Sequence, residues 1–237
     1  MKTIGMIGGL SWESSVEYYR LVNEGVREKL GGLHSAQCLM YSVDFAPIEH
    51  MQSEGRWDDA TRVMVDAALR LESGGADFVI ICSNTMHLMA PQIEAAVKIP
   101  LLHIADATAE QIKAAGITTI GLVATRYTME KEFYVGRLKE KHGLEVITPQ
   151  AADREIVNRI IYDELVLGKI YESSKAEYVR ILNALIAHGA QAIILGCTEI
   201  GLLIKQGDVP VPVFDTTLIH AQAAVDTALE RVEIRQD

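Results

Sequence analysis

The chain repeats itself, and that repeat limits its possible folds more than any other feature. Gly75-Ala76-Asp77-Phe78-Val79-Ile80-Ile81-Cys82-Ser83-Asn84-Thr85 lies without a gap on Gly189-Ala190-Gln191-Ala192-Ile193-Ile194-Leu195-Gly196-Cys197-Thr198-Glu199, at an offset of 114 residues. Thr3-Ile4-Gly5-Met6-Ile7 lies on Thr119-Ile120-Gly121-Leu122-Val123 at an offset of 116, which also carries Tyr18 onto Tyr134. A looser third pair sets Ile99-Pro100 and Asp106-Ala107-Thr108 against Val211-Pro212 and Asp215-Thr216-Thr217. Apolar runs recur by chance, but three pairs in the same order favour duplication. A chain of 237 residues accommodates two halves of about 110–120 residues, or one large domain.

Each repeated run is β-branched and apolar, follows a turn and ends in small polar residues. That is the pattern of a buried parallel strand with a loop at its carboxyl end. Four strands are expected per half: 3–8, 36–44, 77–82 and 100–103, then 119–124, 144–148, 191–196 and 211–214. Helical spacing fills the intervals. Val16, Tyr19, Val22, Val26 and Leu30 form one apolar stripe, with Ser14 and Glu17 as a possible capping box. Trp57, Thr61, Met64, Ala68 and Leu71 form another, as do Tyr178, Ile181, Leu185 and Ile186. A last helix is expected over about 216–233. Alternating strands and helices imply parallel sheets with right-handed crossovers.

Composition narrows the function classes. Lys and Arg number 22 against 32 Asp and Glu, a net charge of −10, which argues against nucleic acid or an anionic membrane as partner. Cys38, Cys82 and Cys197 stand far apart and read as reduced thiols of a cytoplasmic protein. Neither a signal peptide nor a membrane span is expected. The seven histidines show no metal-ligand spacing, so no metal is expected.

Ligands of parallel α/β sheets bind outside the carboxyl ends of the strands. That rule selects Gly8-Gly9-Leu10-Ser11-Trp12, Ser83-Asn84-Thr85, Ala124-Thr125-Arg126-Tyr127-Thr128 and Cys197-Thr198-Glu199. Ser83 and Cys197 occupy equivalent repeat positions. Each opens a loop expected to lead into a helix N-terminus, where a thiol should have a lowered pKa. An inert buried cysteine is the alternative for Cys197, but its place at a strand end favours function. Cys82 and Cys38 read as core residues. For His87, a local hydrogen bond is favoured over a catalytic pair with Ser83.

At these residues the sequence resembles the aspartate/glutamate racemase family of cofactor-independent amino-acid racemases. The resemblance runs through Ile7-Gly8-Gly9-Leu10-Ser11-Trp12, Asn84-Thr85-Met86-His87, Thr125-Arg126-Tyr127-Thr128, Ile161-Tyr162-Asp163-Glu164-Leu165 and Gly196-Cys197-Thr198-Glu199. It implies two flavodoxin-like α/β halves related by a pseudo-two-fold axis, each with a four-stranded parallel sheet. The expected domains are 1–103 plus 212–237, and 104–211, with the active site in the cleft between them. A homodimer and a small amino-acid substrate are also implied, with no cofactor.

The resemblance implies that a cysteine from each half flanks the α-carbon, one removing the proton and the other returning one. Cys197 and Ser83 take those catalytic positions. Asn84, Thr85 and Thr198 are expected to bind the α-carboxylate and ammonium, with Thr125 and Thr128 assisting. Gly9, Leu10 and Glu199 complete the expected substrate contacts, and Gln52 matches a side-chain-binding position. Val166 replaces a basic residue of some aspartate-using members, leaving Arg126 as a stand-in for the distal carboxylate. Ser83 replaces the family's first cysteine, as in the L-aspartate/glutamate-specific subgroup, so the chemistry is expected to be biased to the L-enantiomer. The alternatives are a single-cysteine decarboxylase or isomerase of the same superfamily, and a catalytically silent binder of small acids.

Overall fold

A computed structural model describes residues 1–230. In chain order the elements are β1 (Ile4–Gly8), α1 (Trp12–Leu30), β2 (Cys38–Ser42), α2 (Phe45–Ser53), α3 (Trp57–Ser73), β3 (Phe78–Ile81), α4 (Ala90–Ala96) and α5 (Ile104–Ala114). They continue with β4 (Thr119–Ala124), α6 (Arg126–Glu130), α7 (Glu132–Gly136), β5 (Glu145–Ile147), α8 (Ala151–Asp163) and α9 (Glu172–Ala187). The last four are β6 (Ala192–Gly196), α10 (Ile200–Leu203), β7 (Val213–Asp215) and α11 (Thr216–Leu229). The chain divides into two compact units, residues 1–103 with 220 onward, and residues 104–219. Residues 231–233 of the expected last helix lie outside the described residues.

The first unit holds a parallel sheet in the order β2-β1-β3, with Ile4 opposite both Cys38 and Phe78. The second holds β5-β4-β6-β7, also parallel, with Ala124 opposite Gly196. The fold is therefore α/β with parallel sheets, of three strands and four. The strand expected at 100–103 is a correction: only an isolated bridge joins Val79 to Leu101. The Val79 N–H donates to Pro100 O and the Leu102 N–H to Val79 O, but α5 begins at Ile104 and leaves no further residue to pair.

Strand alternation divides the first unit's core in two. Ile7, Val79 and Ile81 pack with Met64, Leu71 and Ile93 on one face of the sheet. Met6, Phe78, Ile80 and Cys82 pack with Tyr18, Val22 and Val225 on the other. The second unit has its own core, in which Tyr134 and Tyr178 are fully buried. Gly5 and Gly121, equivalent in the repeat, each allow a close approach to the strand. A Cβ would meet Ala76 Cβ at 2.8 Å in the first case and Ile193 Cδ1 at 2.8 Å in the second.

The first helix departs from its sequence pattern. Val16 and Tyr19 are exposed, whereas Ser14, Ser15, Tyr18, Val22, Gly25 and Val26 are buried. Small residues allow the reason. Gly25 lies against Val225 of α11, and Ser15 Oγ accepts from the Gly9 N–H at 2.7 Å. The capping box is also absent. Ser14 lies inside the helix, which starts at Trp12, and its hydroxyl donates to Ser11 O at 3.1 Å. No helix among the described residues is long and apolar enough to cross a membrane.

Candidate active site

In the first unit, β1 and β3 deliver two neighbouring loops, because Ile7 stands opposite Ile81 in the parallel register. Gly9 has φ +79°, a left-handed conformation, and a Cβ there would run into the backbone of Val43. Its N–H donates to Ser15 Oγ, which in turn donates to Ser11 O at 3.0 Å. Leu10 is buried beside it. Ser83, Asn84 and Thr85 follow β3, all buried, and the chain then enters a single 3₁₀ stretch, Thr85–Met89. The Ser83 N–H donates to Ile81 O at 2.8 Å, and His87 Nδ1 lies 2.7 Å from Ser83 O. His87 thus bonds the serine's backbone rather than its hydroxyl.

Gln52, on α2, is 4% exposed, and its amide Nε2 lies 3.0 Å from Met86 Sδ. The fold therefore brings Gln52 beside the 3₁₀ stretch that follows Thr85. Cys82 points into the apolar core with Tyr18 and Val22, and burial pushes its thiol far above the usual range.

In the second unit, the pairing of Ala124 with Gly196 sets Thr125 beside Cys197 at adjacent strand ends. Thr125 caps α6, and its Oγ1 lies 3.3 Å from Thr128 Oγ1. Both threonines are buried. Cys197 Sγ donates to Glu199 Oε2 at 2.9 Å, and Thr198 Oγ1 donates to the same oxygen at 2.8 Å. Cys197 is 8% exposed and Glu199 is 3% exposed. Arg126 is exposed, and its guanidinium stacks on Tyr127, 4.8 Å from the ring centre.

The expected lowering of the Cys197 pKa is overturned. Burial, and then the adjacent Glu199 carboxylate, push the thiol well above its ordinary range. The helix that follows, α10, has only four residues and cannot outweigh a full carboxylate charge at hydrogen-bond distance. Cys197 therefore rests as a thiol whose proton is already directed at an acceptor. Glu199 stood in the sequence as a substrate contact. Its bond to the thiol was visible only as an acid two residues after the cysteine. Among the described residues, no group of three or more His, Cys, Asp or Glu is disposed to hold a metal ion.

Comparisons with known proteins show what the chain as a whole is similar to. The family model described as Asp/Glu/Hydantoin racemase matches residues 7–224. A crystal structure of a proposed Asp/Glu racemase from Yersinia pestis is 58% identical, with a TM-score of 0.90 over 97% of this chain and 100% of the other. An aspartate racemase homologue from Pyrococcus horikoshii OT3 is 37% identical, with a TM-score of 0.83 over 96% and 99% of the two chains. The broad specificity amino-acid racemase RacX of Bacillus subtilis (strain 168) is 26% identical over 183 residues, covering 77% of this chain and 75% of its own.

Proposed function

The chain belongs to the Asp/Glu/hydantoin racemase family and is an amino-acid racemase, and from that premise we propose that its substrate is aspartate, glutamate or a similar acidic amino acid, worked on mainly from one face. The observation that carries this reading is the Cys197–Glu199 contact at the carboxyl end of β6. An amino-acid α-proton is a very weak acid, so the base must be strong and the developing carbanion must be stabilised by fixed donors. A thiolate formed by passing its proton to Glu199 is such a base, and it is created only when needed. Thr198, Thr125, Thr128, Asn84, Thr85 and the amide of Leu10 are the proposed donors to the substrate's α-carboxylate, and side-chain oxygens among them are the proposed acceptors from its ammonium. Gln52 is the proposed contact for its side chain. No metal or pyridoxal phosphate is needed for these steps.

In this scheme Cys197 thiolate takes the α-proton of the L-enantiomer, giving a thiol and a carbanion. Exchange of the thiol hydrogen with solvent, followed by return of a solvent-derived hydrogen to the same face, gives exchange without inversion. Inversion needs a proton from the opposite face, which we assign to the Ser83 hydroxyl. A serine hydroxyl is a poor acid, so this donation is slow, and the alkoxide left behind takes a proton from solvent. We also propose that the two repeats form pseudo-two-fold-related flavodoxin-like domains. Ser83 and Cys197 then address one α-carbon. The working form is proposed to be a cytoplasmic homodimer.

The test is a panel of L- and D-amino acids in D₂O, followed for α-hydrogen exchange. L-Aspartate or L-glutamate should exchange well ahead of its D-form, and Cys197→Ser should abolish exchange of both. Equal initial rates for the two enantiomers would overturn the one-sided reading. Exchange confined to non-acidic amino acids would overturn the substrate class. Ser83 alone favours a second reading, in which a single cysteine protonates a decarboxylation intermediate. CO₂ release from a malonate-type diacid, with no exchange of any amino acid, would establish that reading instead.

A further inference from the structure

Three of the seven histidines come from separate stretches of the chain and are buried together in the first unit. His87 lies in the 3₁₀ stretch after Ser83. His103 is the last residue before the chain leaves the unit, and His220 is the first after it returns. The His87 and His103 ring centres are 4.5 Å apart, and those of His87 and His220 are 5.8 Å apart. Neither contact arises from a shared helix face, so the fold has gathered them.

Hydrogen bonding assigns the protons. His220 Nε2 lies 2.8 Å from Leu102 O, and a carbonyl can only accept, so Nε2 carries hydrogen. Its Nδ1 is then an acceptor and takes the Tyr18 hydroxyl at 2.9 Å. Burial holds His220 down to about 4, so this ring is neutral at physiological pH. By the same logic His87 Nδ1 carries hydrogen, because it faces Ser83 O at 2.7 Å. The ring of His87 therefore spans from the Ser83 backbone to two further imidazoles, one of them locked by α1 and by Leu102.

We propose that His87 is a positioning residue for the proposed racemase reaction. Its Nδ1–H holds the Ser83 carbonyl, so that Ser83, Asn84 and Thr85 present their polar groups to substrate in one conformation. His103 and His220 fix the ring that does the holding. Both of them sit where the chain crosses between units, so the arrangement fastens the loop to the two crossing points as well. The choice of substrate rests on the reading given above, whereas the geometry does not depend on it.

Asn and Gln separate this role from simple space filling. The Asn amide nitrogen can stand near the place of imidazole Nδ1, whereas that of Gln stands near the place of Nε2. His87→Ala should raise KM for the acidic amino acid about tenfold, the effect of one lost hydrogen bond to a binding loop, with kcat for exchange changed far less. His87→Asn should restore KM and His87→Gln should not. In the protein without substrate, amide hydrogen exchange at Ser83–Thr85 should be faster in His87→Gln than in His87→Asn. Nitrogen-15 spectra of the wild type should show His87 as the Nδ1–H tautomer. Rescue by Gln equal to that by Asn, an Nε2–H tautomer, or unchanged exchange at Ser83–Thr85 would overturn the proposal. If no amino acid is turned over at all, the functional reading falls, while the amide-exchange and tautomer measurements still decide the role of His87.

Discussion

One carboxylate oxygen, Oε2 of Glu199, accepts from two side chains, and that single atom governs what Cys197 can do. The carboxylate both raises the thiol's pKa and offers it a proton acceptor. Replacing it should separate those effects. In Glu199→Gln the negative charge is gone, so one cause of the raised pKa is removed and the thiolate should form at lower pH. Alkylation of Cys197 near pH 8, followed peptide by peptide, should become faster. Turnover should fall about 100-fold, since the group that takes the proton is lost. Slower alkylation in this variant would mean that the Glu199 charge does not hold the thiol's pKa up. Both residues stood out in the sequence as part of a loop motif, but the inferred pKa shift had the wrong sign. A loop motif shows that an acid is nearby, while its rotamer decides whether the acid faces solvent or folds back onto the sulfur.

At the scale of elements, strands were read from the sequence more faithfully than helix faces. A parallel strand buried on both sides is a continuous apolar run, whichever way it is rotated, so β1, β3, β4 and β6 were legible. Rotation of a helix depends on which small residues let it approach its neighbours. That is why Tyr18, Ser15 and Gly25 displaced Val16 and Tyr19 from the buried face of α1. A contact with no local signature joins α5 to the π-helical stretch Arg137–Lys141. Asp106, in the first turn of α5, accepts from Arg137 Nε and Nη2 and from Lys141 Nζ, each at 2.7 Å, and from His142 Nε2 at 2.8 Å. Burial pushes this carboxyl up, but the bonds from Arg137, Lys141 and His142 outweigh it and hold the group well below the usual carboxylate range. A carboxyl depressed on folding stabilises above its unfolded pKa, and that contribution is lost progressively as pH falls below about 4. Asp106→Asn should therefore destabilise by about 2 kcal/mol at pH 7. In urea melts the gap from wild type should narrow at pH 3.5. A gap that stayed constant or widened would show that the charge on Asp106 is not the source.

At the scale of the molecule, the first unit carries an exposed apolar face. Trp12, Val16 and Tyr19 of α1 are 66%, 56% and 54% exposed, and they border a groove of about 400 Å³ that Cys38 and Met40 of edge strand β2 complete. Along this helix Arg20 pairs with both Glu17 and Glu24. These pairs leave a residual charge of one negative unit on the strip, small beside the −10 of the whole chain, so an identical copy can approach it without strong repulsion. For the proposed homodimer, Val16→Glu should give a monomer in sedimentation, whereas Leu69→Glu, on the exposed side of α3, should leave the dimer intact. A wild-type monomer, or a dimer untouched by Val16→Glu, would place the interface elsewhere or remove it.

What the sequence determined by itself was the periodic part of this protein: a βα plan, parallel strands, and the places of Ser83 and Cys197 just beyond strand carboxyl ends. Those features follow from backbone hydrogen bonding and from the burial of apolar runs, which act over a few residues at a time. Only the tertiary structure decided the loss of the fourth strand beside Leu101, the rotation of α1, the gathering of His87, His103 and His220, and the return of Glu199 onto Cys197. Each of these rests on one close contact or one rotamer, set by residues far apart in the chain or by the packing around a loop. No periodicity encodes such a contact.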